Sequence, residues 1–189
     1  AAVLSRMILK YEKPKHHTFC GEKTEDVILL CNRNNRQITA RQIQTGEVSM
    51  LAGGVRIQGA DLQEIAKIRT WQELLFPLHG KVEREYTAEA AAQTGWNTEI
   101  MELLQSLHEE KGAFLFRIEY KGSLDERKKS EFVKKTASLL EEKSERMLIN
   151  SISDYEIEIR IVESKKGGYL PFLRLYTMED ERFAYRKES

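Results

Sequence analysis

Apolar residues fall in short blocks whose spacing changes along the chain, and each change predicts an element. Val27-Ile28-Leu29-Leu30-Cys31 is a continuous apolar run. It predicts a strand over 26–32, buried on both faces, with Cys31 in the core. Asn34 or Asn35 is placed to cap a helix through Ile43, with Ile38, Ala40 and Ile43 apolar and Gly46 ending it. Ser49-Met50-Leu51 and Val55-Arg56-Ile57 flank Ala52-Gly53-Gly54, a hairpin signal. Gly59 and Asp61 open a helix bearing Leu62, Ile65, Ala66 and Ile68. Leu74 to Leu78 reads as a closing strand whose Pro77 suits a sheet edge. The predicted order is strand, helix, two strands, helix, strand.

Thr87 and Asn97 are caps for two short helices, the second striped with Ile100, Leu103, Leu104 and Leu107 and ended by Lys111-Gly112. Phe114 to Tyr120 is a strand with Phe114, Phe116 and Ile118 on one face. Ser123 to Ser144 has helical spacing, with Phe132, Val133, Thr136, Leu139 and Leu140 on one side. Glu156-Ile157-Glu158-Ile159-Arg160-Ile161 alternates strictly, which predicts one buried face and one charged, solvated face. Lys165-Lys166-Gly167-Gly168 is a turn, and Leu173-Arg174-Leu175-Tyr176 alternates again. A polar turn over 178–181 leads to a last strand, Arg182-Phe183-Ala184-Tyr185-Arg186. The pattern as a whole predicts an α+β fold with helices packed on mixed, largely antiparallel strands.

Composition narrows the function classes. Lys+Arg and Asp+Glu stand at 30 each. Any nucleic-acid site is then a local basic patch rather than a property of the whole chain. No stretch reaches the roughly 18 apolar residues of a membrane helix. Two cysteines make no disulfide framework, which predicts a reducing, cytoplasmic setting. The start at Ala1 and the charged end at Ser189 suggest a fragment of a longer protein.

Candidate chemistry is sparse. His16, His17, Cys20 and Cys31 lack the paired spacing of a structural zinc site. Gly53-Gly54 precedes no Lys-Ser or Lys-Thr and sits in a hairpin, so it is no phosphate loop. His79 and His108 have no nucleophile at a recognisable spacing, and Asp154, Glu156 and Glu158 read as a solvated face. No catalytic and no metal-ligating residue is predicted. Basic residues stand out instead. Arg127-Lys128-Lys129 and Lys134-Lys135 lie along the long helix, and Arg182, Arg186 and Lys187 close the chain around Phe183 and Tyr185. Such positions neutralise phosphates, and exposed aromatic rings stack on unpaired bases. Spacing alone favours solvated faces partnered by Glu131, Glu141, Glu142 and Glu188.

The last third resembles a THUMP domain. The likeness runs from Phe116-Arg117-Ile118 through the Lys128 to Leu140 helix and Asp154-Tyr155-Glu156-Ile157-Glu158-Ile159 to Leu173-Arg174-Leu175-Tyr176 and Arg182-Phe183-Ala184-Tyr185-Arg186. Ala184 stands where that family usually has Gly. The segment from Asp26 to Leu78 is similar to the small ferredoxin-like domain that precedes THUMP in many bacterial RNA methyltransferases. The resemblance implies four parts: an unassigned segment 1–25, a ferredoxin-like domain 26–80, a helical connector 81–110 and a THUMP-like RNA-binding domain 111–189. It implies docking of tRNA or rRNA, with Lys128, Lys129, Lys135, Arg182, Arg186 and Lys187 as phosphate contacts. Chemistry would fall to an S-adenosylmethionine-dependent methyltransferase domain on the same full-length polypeptide. The Pro-Pro-aromatic motif of such a domain is absent, since Pro14, Pro77 and Pro171 are never adjacent. No cofactor is implied for this chain and no catalysis by it. The alternative is a protein-interaction or oligomerisation module on the same scaffold, marked by an exposed apolar patch.

Overall fold

The computed structural model describes residues 24–78, 87–107, 112–165 and 167–176. Expectations for His16, His17, Cys20, His79, His108, the 178–181 turn and the strand at 182–186 lie outside them.

β1, Thr24–Leu30, turns Val27 and Leu29 inward to complete burial. A 3-10 turn at Arg33–Asn35 leads into α1, Arg36–Gln42. Asn35 precedes α1, but its side chain makes no capping bond. Ile38 is 46% exposed, while the buried position is Thr39, whose hydroxyl meets Thr70 Oγ1 at 2.5 Å. A satisfied hydroxyl can be buried at little cost, so it displaces a bulkier apolar neighbour. Cys31 is half-buried, its Sγ donating to Leu29 O at 3.6 Å.

β2, Glu47–Met50, and β3, Gly54–Asp61, form the predicted antiparallel hairpin. At Gly54 a Cβ would run into the Leu29 carbonyl, which explains the missing side chain. Asp61 caps α2, Leu62–Lys67, by accepting from Gln63 N–H at 2.9 Å. Trp71 is fully buried beneath it and donates Nε1–H to Ile65 O at 3.0 Å, so the indole loses no hydrogen bond on burial. β4 is Glu73–Pro77.

α3, Ala88–Gly95, begins on the Thr87 cap and buries Ala88, Ala91, Ala92 and Gly95. These small residues admit close packing: a Cβ on Gly95 would lie 3.1 Å from Leu140 Cδ2 and 3.2 Å from Ile159 Cδ1. α4, Thr98–Leu107, follows, with Asn97 Oδ1 accepting from Ile100 N–H at 3.0 Å. β5, Phe114–Lys121, alternates buried and half-buried residues as predicted. α5, Glu126–Lys143, starts on Asp125, whose Oδ1 accepts from Lys128 N–H at 2.9 Å. Then come β6, Leu148–Asn150, which the pattern did not predict, β7, Ile157–Glu163, and β8, Tyr169–Leu175.

All eight strands form one sheet in the order β2-β3-β1-β4-β8-β7-β5-β6. Its first four strands pair antiparallel throughout. β5 pairs parallel to β6 and β7, and α5 makes the crossover from β5 to β6. The two halves of the chain meet where β4 pairs antiparallel with β8, Leu75 opposite Arg174. Pro77 is therefore not on a sheet edge. Pairing of β4 with β1 stops at Leu75, so Pro77 needs a ladder on one side only, and the next residue, Leu78, donates to Pro171 O at 3.0 Å. One face of the sheet carries a single apolar core from Leu29, Ile57 and Leu74 in the first half to Phe116, Ile159 and Leu173 in the second. The helices pack on that face. The α+β fold, with helices on mixed and largely antiparallel strands, is as the pattern predicts.

Candidate functional site

The predicted phosphate contacts divide. Lys128, Lys129 and Lys135 all lie on α5. Lys128 is exposed and Lys129 half-buried in the first turn, and Lys135 falls two turns beyond Lys128 on the same side. Lys135 is already paired: its Nζ lies 2.7 Å from Glu89 Oε1 on α3, a bond that holds the Glu89 carboxyl below its ordinary value. Arg127 is paired with Glu131 at 3.3 Å. Arg182, Arg186 and Lys187 lie outside the described residues.

A second cluster lies on the sheet face away from the helices, and the alternating pattern misread it. β7 was expected to have a solvated charged face. Its Ile157, Ile159 and Ile161 are buried as predicted, but Glu158 is 0% exposed and Arg160 4%. The cause is register. Arg117 on β5 and Arg174 on β8 both stand opposite Glu158, so like-facing charged residues on three adjacent strands cover one another.

The geometry of this cluster is closed and specific. Glu158 Oε1 accepts from Arg117 Nε at 3.1 Å and Nη2 at 2.7 Å, and Glu158 Oε2 accepts from Arg160 Nε at 2.9 Å. Arg160 Nη1 donates to Glu73 Oε2 at 2.8 Å, and Arg174 Nη1 lies 2.9 Å from Glu73 Oε1. Glu73 sits on β4, so the network spans the join between the halves. The Tyr176 hydroxyl donates to Glu158 Oε1 at 3.1 Å and accepts from Arg117 Nη2 at 3.0 Å and Arg174 Nη1 at 2.9 Å. The Arg117 guanidinium lies over the Tyr155 ring at 4.1 Å, and Arg174 lies over Tyr176 at 4.1 Å. Tyr155 and Tyr176 meet edge to face with centroids 4.9 Å apart.

Titration follows the geometry. Burial pushes the Glu73 carboxyl up, but the Arg160 hydrogen bond and the charges of Arg160 and Arg174 outweigh it, so Glu73 ionises more readily than usual. Burial and the adjacent Glu158 charge push the Tyr176 hydroxyl well up, so it stays protonated and keeps its donor. Three arginines face two glutamates, leaving one positive charge in excess. Glu156 Oε1 accepts from Leu115 N–H at 3.0 Å, so it serves the backbone rather than forming a carboxylate pair with Glu158. Among the described residues no group of His, Cys, Asp and Glu is placed to hold a metal ion. Among them too, no helix is long and apolar enough to cross a membrane.

No protein-family model matches the sequence, and no curated protein matches it. Solved structures do. A 4-thiouridine synthetase–RNA complex with bound ATP aligns over 81% of this chain and 42% of its own, with TM-score 0.52 and 14% identity. TrmN from Thermus thermophilus aligns over 78% of this chain and 45% of its own, with TM-score 0.53 and 14% identity. A predicted N6-adenine-specific DNA methylase from Listeria monocytogenes aligns over 81% and 40%, with TM-score 0.50 and 15% identity. The chain shares their fold. That fold is a mixed α/β arrangement, and the chain spans less than half the length of each of these structures.

Proposed function

We propose that this chain is an RNA-docking region of an RNA-modifying protein. In the finer form of the proposal, the four strands β2-β3-β1-β4 with α1 and α2 are a ferredoxin-like unit. The helices α3 and α4 belong to a connector over 81–110, the chain from 111 on is a THUMP-like unit, and an S-adenosylmethionine-dependent methyltransferase domain lies on the same full-length polypeptide. The chain itself performs no methyl transfer and acts in the cytoplasm on tRNA or rRNA. The observation that carries the reading is a fold shared over 81% of the chain with a structure that holds RNA. The lysines along α5 supply the matching electrostatics.

Gel shift with bulk tRNA at low and moderate salt tests it. Lys128→Glu and Lys135→Glu should each weaken binding and reduce the salt slope by about one. Glu89→Gln, which releases Lys135 from its partner, should leave binding intact or tighten it. No binding at low salt, or binding indifferent to both lysines, overturns the proposal. An interaction module is the second reading, favoured by one observation. At the β2 end of the molecule Ile38, Val48, Met50 and Leu51 are 46%, 36%, 46% and 36% exposed. Sedimentation velocity showing self-association that Met50→Lys abolishes would support it.

A further inference from the structure

Burying charges is expensive, and well-packed apolar residues would serve stability as well as the Arg–Glu network does. The network therefore invites the question of what it holds in place. Its outermost member is Arg117. The guanidinium is fixed on two sides, by Glu158 beneath and by the Tyr155 ring at 4.1 Å, yet the side chain is 31% exposed. Among the described residues no hydrogen bond or ion pair uses its Nη1. Tyr155 is half-buried and is followed in space by Tyr176. The loop that delivers Tyr155 is itself ordered by hydrogen bonds, with Ser151 N–H donating to Phe116 O at 2.8 Å and Asp154 N–H to Ser151 Oγ at 3.1 Å. That loop also holds up Ile152, the most exposed large apolar side chain among the described residues at 85%. A planar cation and two tyrosines thus share one rim of the sheet, on the face away from the lysines of α5, and the loop that delivers Tyr155 carries an uncovered aliphatic side chain, Ile152, ahead of it in sequence.

From this juxtaposition we propose that Arg117, Tyr155 and Ile152 form a stacking site for one unpaired RNA base. The proposal rests on the RNA-docking reading above and deepens it. Chemistry favours a base over a phosphate. Asp154 is exposed beside Tyr155, and the Arg117 Nε and Nη2 donors are already committed to Glu158 and Tyr176, so a phosphate would find one remaining donor and a neighbouring carboxylate. A neutral base meets a flat π-surface, an aliphatic flank and a donor, Nη1, for a ring nitrogen or carbonyl. Tyr176 and Glu158 are positioning residues: they hold the Arg117 plane and need not touch RNA.

The test uses the whole chain and two probes, a mixed-sequence single-stranded oligoribonucleotide and a perfect duplex of the same sequence. Tyr155→Ala should weaken single-strand binding roughly ten-fold, the order of one lost base stack, with the salt slope unchanged and duplex binding unaffected. Tyr155→Phe and Tyr155→Trp should retain binding, and thermal melting of each variant should match the parent. Ile152→Ser, at a position 85% exposed, gives a second variant that leaves the core untouched and should show a smaller single-strand loss. An unchanged affinity in Tyr155→Ala overturns the proposal. So does a loss equal on both probes, or one accompanied by a salt slope lower by about one, which marks a phosphate contact. If the α5 lysine variants weaken binding while Tyr155→Ala does not, docking stands and the stacking site falls. If neither probe binds the parent chain, both fall.

Discussion

Glu73 is a half-buried carboxylate between two arginines that come from the other half of the chain. The Arg160 hydrogen bond and the two positive charges prevail over burial and hold it below its ordinary value of about 4.3. A group depressed in the folded state adds stability above its unfolded value and loses it as pH falls through the folded one. The thermal midpoint should therefore drop as pH falls below about 4.3, and part of that drop should vanish in Glu73→Gln, whose midpoint is already lower at neutral pH. Parallel pH profiles for the two proteins, from thermal melts followed by circular dichroism, would show that Glu73 is not linked to folding. The charged side chains of this network were visible in the sequence, but their burial was not. Alternation assigns Glu158 and Arg160 to one face correctly; only the neighbouring strands decide whether that face meets water.

Among the elements, the local signals worked where a side chain acts on its own backbone. Asp61, Thr87 and Asn97 cap as their positions predict, because the bond closes within three residues. They failed where a distant partner intervenes. Thr39 takes the buried place in α1 because Thr70 waits for its hydroxyl. β6 went unseen because three residues carry no period, and it exists only by pairing with β5. α5 began later than its polar pattern suggested, at Asp125, and that cap now defines the phase in which Lys128 and Lys135 are presented. Asp125→Ala should cost about 1 kcal/mol in urea unfolding. A change below a few tenths of that would mean the surrounding loop, where Ser123 N–H donates to Glu163 Oε2 at 2.6 Å, fixes the helix start by itself.

For the whole molecule, the sequence separated two units, and the structure joins them through a sheet and a core without interruption. Strand order is a matter of long-range pairing, so no local pattern contains the β4–β8 contact. The join predicts shared cooperativity. The chain has two tryptophans, Trp71 buried in the first half and Trp96 in the second. Trp71→Phe and Trp96→Phe leave one reporter each, and if the join transmits stability each variant's fluorescence melt should coincide with its own circular dichroism melt. Separated midpoints within one variant would mean that the halves unfold independently.

That same join sets a clock on synthesis. Leu75 and its partner Arg174 are about a hundred residues apart in sequence, and at ~5–20 residues per second a ribosome takes several seconds to make that distance. Throughout that interval the nascent chain carries β4 with its outer edge unpaired and Leu74 and Phe76 without the part of the core that the second half supplies. Glu73 waits ionised for arginines not yet made. The newborn first half is thus a sticky intermediate until β8 emerges, and a cell making this protein must shield that edge or synthesise quickly past it.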